Sequence, residues 1–210
     1  KLNGYSGEVC YKFSQLEEVK FENFDTSGLT GMAFFFSGCE KLTNLDLSCF
    51  NTENVTTMTS MFYQCKALKN VDLSSFNTAK VKEMQNMFSY CHSLTDLDLS
   101  NFDTSKVTNM NSMFKECKSL QSVDVSSFNT ASVADMSWLF YYCESLKSLT
   151  LDHFDTSKVT TMALMFSGCK NFNANLSEWD VSNANNMNSM FTGCQKFNSD
   201  LSEWDVSNVN

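Results

Sequence analysis

The sequence contains no proline and no arginine, and all 15 of its basic residues are lysine. The side chain best suited to hold a phosphate or a carboxylate in a two-pronged grip is therefore missing. Cations of any kind are outnumbered by 24 Asp and Glu, which gives a formal net charge of −9. That balance argues against nucleic acid or an anionic membrane as the main partner, since both call for clustered Lys or Arg. No apolar run approaches the ~18 residues needed to span a bilayer, so no membrane insertion is expected of these residues. The opening KLNGYSGEVCYKF lacks the continuous hydrophobic stretch of a signal peptide. Only two histidines occur, His92 and His153, in different parts of the chain and neither beside a repeated nucleophile. There is no G-x-S-x-G, G-x-x-x-x-G-K or H-E-x-x-H, and the seven glycines form no phosphate-binding cluster. The expectation is a protein that is not an enzyme, with no catalytic residues, no cofactor and no metal. The missing Pro and Arg beside abundant Asn and Ser match the residue usage of an AT-rich genome.

What the sequence does have is a repeat. Cys39, Cys65, Cys91, Cys117, Cys143 and Cys169 stand 26 residues apart, and Cys194 follows after 25. The unit reads F-[DN]-T-x-x-V-x-x-M-x-x-M-F-x-x-C-x-x-L-x-x-[LV]-D-[LV]-S-x. Six units of this kind fill residues 24–178. Residues 179–210 hold a variant unit and a truncated one, opening on Trp179 and Trp204. Residues 1–23 read as a degenerate first repeat or cap, in which Leu16, Val19 and Phe21 fit the L-x-x-[LV]-x-[LV] portion. The final SEWDVSNVN stops partway through a unit, so the chain is read as a piece of a longer array.

Two periods lie within each unit. In LTDLDLSNF, Leu97 and Leu99 alternate with Asp96, Asp98 and Ser100, the period-2 pattern of a short, half-buried strand. In VTNMNSMFKEC, the apolar positions Val107, Met110, Met113, Phe114 and Cys117 make one helical stripe. Asp103, Thr104 and Ser105 stand where they would cap it. One unit offers about nine apolar side chains, each contributing roughly 1.5–3 kcal/mol on burial. Ordering its backbone and side chains costs on the order of 1.5 kcal/mol per residue, so a unit cannot fold alone. Stacked units bury both flanks of each apolar layer and pair their strands about 4.8 Å apart. The expected fold is an α/β repeat solenoid of leucine-rich-repeat kind, with a parallel β-sheet on one face and short helices on the other.

The LDLSNFDTSKVTNMNSMFKECKSL pattern resembles the 26-residue repeat of bacterial surface proteins, the BspA-like leucine-rich-repeat group. FNANLSEWDVSNANNMNSMFTGC and FNSDLSEWDVSNVN are similar to its 25-residue variant. The resemblance runs over nearly the whole chain. It implies a solenoid on a cell surface, often in adhesion or host interaction, and carries no catalytic residues with it. Ordinary leucine-rich repeats place a buried Asn after the strand. This chain has Phe24, Phe50, Phe76, Phe102, Phe128 and Phe154 there, then Trp179 and Trp204. The neighbouring Asp/Asn column (Asp25, Asn51, Asn77, Asp103, Asn129, Asp155) is expected to satisfy corner amides instead.

Four readings compete for the cysteine column. Zinc calls for ligands that converge, usually from C-x₂-C pairs, and no such pair exists. A disulfide ladder would join stacked Cβ atoms near ~4.8 Å apart, beyond the ~3.8 Å typical of the bond, and the column has an odd number of members. A reactive thiol needs cations or His beside it. The fourth reading, a structural core ladder of Cys39, Cys65, Cys91, Cys117, Cys143, Cys169 and Cys194, treats the thiol as a small hydrophobe. It is favoured because Phe13 holds the equivalent place in the first unit. Cys10 aligns with a Phe column and is expected to be buried. Cys49 is expected to be the most exposed thiol. The Met and Phe columns are read as packing between layers, not as a cofactor box.

Function is sought on the strand residues that point away from the core. The candidate binding positions on a concave sheet are Asn44, Asp46, Asn70, Asp72, Asp96, Asp98, Asp124 and Asp152. This face is acidic and hydroxyl-rich, and its stacked Asp residues should repel one another. They either bond the corners and keep the face soluble, or attract a basic protein segment, a glycan or Ca²⁺. The overall expectation is a surface adhesion or protein-interaction module, on the cell surface or secreted, that meets a protein or glycan ligand on another cell. A spacer that projects another domain and an intracellular interaction scaffold are the alternatives.

Overall fold

The computed structural model describes residues 8–22, 24–147 and 149–210. Residues 1–7 of the expected cap, Asn23 and Ser148 lie outside the described residues. The chain winds into stacked layers, each hydrogen-bonded to the next at offsets of 24 to 27 residues. Strand β1 (Glu18–Val19) pairs in parallel with β2 (Asn44–Leu45), and β3 (Asp96–Asp98) with β4 (Ser122–Asp124). Leu97 and Leu99 turn inward and are buried, while Asp96 and Asp98 face out.

The continuous parallel sheet expected from the repeat is present only as these two fragments. Each strand is also short, because of the sequence that follows it. Asp46, Asp72, Asp98 and Asp124 each accept, through Oδ1, the N–H of the serine two residues on, at 2.9 Å. This side-chain turn bends the backbone out of the extended form after three or four residues. A second parallel ladder runs elsewhere in the layer as single bridges linking Thr57, Glu83, Asn109, Asp135, Thr161 and Asn186 in turn.

The helix is a further correction. Val107, Met110, Met113, Phe114 and Cys117 are all buried, yet the described residues contain no helix. In an α-helix every N–H reaches back four residues. Here the amides divide. Those of Met113, Lys115 and Cys117 reach back three residues. Those of Met110, Ser112, Phe114 and Glu116 donate to Asp135, Ser137, Leu139 and Tyr141 of the next layer. Twice per repeat the backbone enters the left-handed region, as at Ser112 (φ 58°) and Glu116 (φ 60°). An apolar stripe at i, i+3 fits a run of tight turns as well as it fits a helix.

Three columns of side chains tie the layers. In the first, Phe62, Phe88, Phe114, Phe140 and Phe166 stack with centroids 5.2–5.8 Å apart and rings within 9° of parallel. The second is a buried threonine column. Thr104 Oγ1 donates to the Asn129 carbonyl at 2.9 Å and accepts the Asn129 N–H at 2.8 Å. Thr26, Thr52 and Thr78 grip the next layer in the same way. The Asp/Asn residue so held closes its own corner, as when Asn129 Oδ1 accepts the Ala131 N–H at 3.1 Å.

The cysteines form the third column. All nine are free thiols, and Cys39 through Cys169 of the column are buried. Each column thiol donates backward to a carbonyl of the preceding layer, for example Cys117 Sγ to Phe88 O and Cys143 Sγ to Phe114 O, both at 3.1 Å. Burial raises their pKa, to about 12 at Cys117 and about 11 at Cys39 and Cys194. Phe13, which pointed to the core reading, is itself 55% exposed. Its layer has no described layer beneath it to cover the ring. Cys49 is exposed, its Sγ lying 3.9 Å from Phe21 O. Labelling the native protein with an alkylating reagent near neutral pH should therefore modify Cys49 first, and the buried column only as fast as the protein opens. A column thiol that reacts as fast as Cys49 would refute this packing.

The switch from Phe to Trp at the corner also has a physical reason. In the 26-residue units the residue before the Phe donates to a strand-end carbonyl one layer back. Ser75 reaches Leu47 O, Asn101 Leu73 O and Ser127 Leu99 O, at 3.0–3.3 Å, and His153 Nε2 lies 3.0 Å from Val125 O. In the variant units that residue is Glu178 or Glu203, whose carboxylate accepts hydrogen bonds and does not donate them. There the indole N–H takes over, with Trp179 Nε1 to Leu151 O and Trp204 Nε1 to Leu176 O, both 3.0 Å.

Candidate binding face of the sheet

The alternation that buries Leu45, Leu47, Leu97 and Leu99 leaves Asn44, Asp46, Asn70, Asp72, Asp96, Asp98, Asp124 and Asp152 exposed. Three surface hollows lie along this face. The largest, about 820 Å³, rests on β3 and β4 and is lined by Asp96, Asp98, Asp124, Ser122, Ser126 and Thr150 among others. A second, about 400 Å³, gathers Asn44, Asp46, Glu18, Glu22 and Lys20, and Cys49 opens into it. A small one of about 130 Å³ joins Asp72 to Asp98 and Ser100. Asn70 and Asp152 line none of these hollows, and Asp152 lies beside the imidazole of His153 (3.8 Å).

Serine hydrogen bonds hold Asp46, Asp72 and Asp98 below the usual carboxylate range, and the Ser122 hydroxyl at 2.7 Å does the same for Asp96. At Asp72 the neighbouring Asp46 and Asp98 charges push the other way, so the row repels itself along the stack. The first of the two roles weighed from the sequence is visible at Asp46, Asp72, Asp98 and Asp124. One oxygen closes a corner, and the charge remains at the surface. No group of three or more His, Cys, Asp or Glu among the described residues is placed to hold a metal ion. No helix of the structure is long and apolar enough to cross a membrane. His92 is half-buried. Burial first, then Lys118, lowers its pKa.

Reading the sequence for its repeat passed over a cluster away from the sheet, where Tyr63, Tyr90, Trp138, Tyr141 and Tyr142 gather around Lys115. The signal was available. These large side chains interrupt columns filled elsewhere by Ser and Gly, as in Ser37, Gly38, Ser167 and Gly168.

Known proteins provide the following comparisons. A leucine-rich-repeat protein of T. pallidum has a TM-score of 0.45 at 19% identity, over 93% of this chain and 72% of that one. A leucine-rich cell surface protein of Faecalibacterium prausnitzii has a TM-score of 0.31 at 15% identity, over 94% and 76%. A leucine-rich-repeat protein of Bacteroides ovatus has a TM-score of 0.22 at 14% identity, over 81% and 63%. No curated protein matches the chain. A family model described as "Mycoplasma protein of unknown function, DUF285" matches residues 8–122, 95–150 and 145–210, and is compatible with the BspA-like resemblance of the repeats. With nearly all of its length matched by that model, the chain belongs to the DUF285 family.

Proposed function

We propose that this chain is a non-enzymatic protein-interaction module of a cell-surface or secreted protein, and that it meets a basic segment of its ligand through the acidic sheet face. The observation that carries this reading is the run of hollows along that face, the largest bordered by the carboxylates of Asp96, Asp98 and Asp124. These charges repel one another when unpaired, and a cationic side chain laid across them offsets that repulsion.

A Lys-rich synthetic peptide is expected to bind the protein, with an affinity that falls steeply as salt rises. Changing Asp96, Asp98 and Asp124 together to Asn should leave the fold intact, because an amide oxygen also closes this corner. Asn175 Oδ1 already accepts the Ser177 N–H at 3.1 Å. Binding of the peptide by this variant should drop about tenfold or more. Titration calorimetry at low and high salt measures both effects. Binding that ignores salt and survives the triple change would remove the sheet face as the contact.

A further inference from the structure

Lys115 lies on the turn side of the layers, with Nζ 4.2 Å from the ring centre of Trp138, 5.5 Å from Tyr141 and 5.6 Å from Tyr90. Tyr63 packs edge-on against Tyr90 at 5.6 Å, and Tyr142 tilts against Tyr141 at 4.6 Å. Among the described residues Lys115 has no ion pair, although this chain carries 24 carboxylates.

The fold does not require these aromatic residues. The Tyr90 and Tyr142 column also holds Gly38, Gly168 and Gly193, all at positive φ. The Trp138 column also holds Ser60, Ser112 and Ser189. Yet Tyr90 (φ 63°), Trp138 (φ 62°) and Tyr142 (φ 55°) occupy the left-handed region, where bulky side chains cost backbone free energy. Tyr142 is 38% exposed, and its ring lies so close over Gly168 that a Cβ there would meet it at 2.7 Å. The same backbone conformation recurs in the other layers, as at Phe34, Gln64, Glu116 and Leu164, so what sets this stretch apart is the gathering of aromatic side chains at the surface.

We propose that this aromatic edge is a second docking surface, independent of the sheet face, for a protein segment that presents a carboxylate flanked by apolar side chains. Trp and Tyr are the residues that concentrate binding energy at protein interfaces. The ammonium held among their rings has no anionic partner among the described residues and supplies the complementary charge. A sugar needs an open, flat ring face. Here Lys115 covers that of Trp138, and Tyr141 is tilted 60° from Trp138.

The test uses three immobilised peptide series of equal length, in which Leu and Phe flank Glu, Lys or Gln. A neutral glycan array and phosphatidylserine vesicles complete the probes. The variants adopt residues that the same columns already carry: Lys115→Ser, Trp138→Ser and Tyr142→Gly. The acidic series should be retained, and each variant should weaken it about tenfold or more. Lys115→Arg should keep it within about threefold. Melting temperatures should hold, or rise for Tyr142→Gly. The Asp96/Asp98/Asp124→Asn protein should still retain the acidic series, which separates this surface from the sheet face. Absence of acidic-peptide binding, equal binding by the variants, or a Trp138-dependent signal only from glycans or vesicles would each overturn the proposal.

Discussion

At pH 10 the protein is expected to have lost several kcal/mol of folding stability, on the order of 5, relative to neutral pH, through its buried thiols alone. Desolvation raises the pKa of Cys65, Cys91, Cys117, Cys143 and Cys169 above the ordinary 9.0. In the folded state they keep their protons, while in the unfolded state they ionise from about pH 9 upward. The unfolded chain then binds fewer protons than the folded one, so stability falls as pH rises. The loss sets in near pH 9 and continues to about pH 12, the value reached by Cys117. At pH 10 it amounts to on the order of 1 kcal/mol for each of the five thiols. A domain has only about 5–15 kcal/mol to lose, so the fold should open in mild alkali. Urea unfolding at pH 7, 9 and 10 under reductant gives the slope. The variant Cys91→Ala/Cys117→Ala should show a slope smaller by about two protons. A pH-independent midpoint, or a slope the variant leaves alone, would sink this account.

The second large effect is expected from Thr104→Val, which keeps the shape of the side chain and removes its oxygen. Thr104 Oγ1 serves both the N–H and the carbonyl of Asn129. Its loss leaves two backbone groups of the next corner without a partner beside a buried methyl. At about 1–3 kcal/mol for each orphaned group, lowered because Asn129 is open to solvent, the expected cost is about 2–3 kcal/mol. Thr108→Val, at an exposed position four residues on, should stay within about 0.5 kcal/mol of the parent. Equal urea midpoints for the two variants would show that the buried threonine column holds nothing. The variant units end the column. Val181 and Val206 replace the threonine there, and the column ends at Thr156, which still donates to Asp180 O at 2.9 Å.

The layered fold was readable from the 26-residue spacing because each apolar column must meet its own copy in the next layer. Phe114, Met110 and Cys117 are buried for that reason. The secondary structure within a layer was less readable. Half of the amides around Met110–Cys117 are satisfied by a neighbouring repeat, and a local period does not report where a hydrogen bond goes. Thr104, read as a helix cap, proved to be a tie between layers. The column cysteines, read as small hydrophobes, also act as donors, a role that the spacing of thiols does not reveal. On the sheet face, position alone identified Asp96, Asp98 and Asp124 as outward-pointing. That Asp98 and Asp124 each also close a corner through the serine two residues on is seen only in the hydrogen bonds.

The exchange of donors between Ser127-type residues and the Trp179 indole bears on how such chains change length. Every layer brings its own group to cap the carbonyl beneath it, whether it comes from a 26-residue or a 25-residue unit. A duplicated or deleted unit therefore leaves this carbonyl capped at either junction. Interactions confined to adjacent layers make stability nearly additive in the number of units. Unequal exchange within the gene, even between units of different length, thus yields arrays that fold at once, with selection free to act on reach and on the side chains each layer displays.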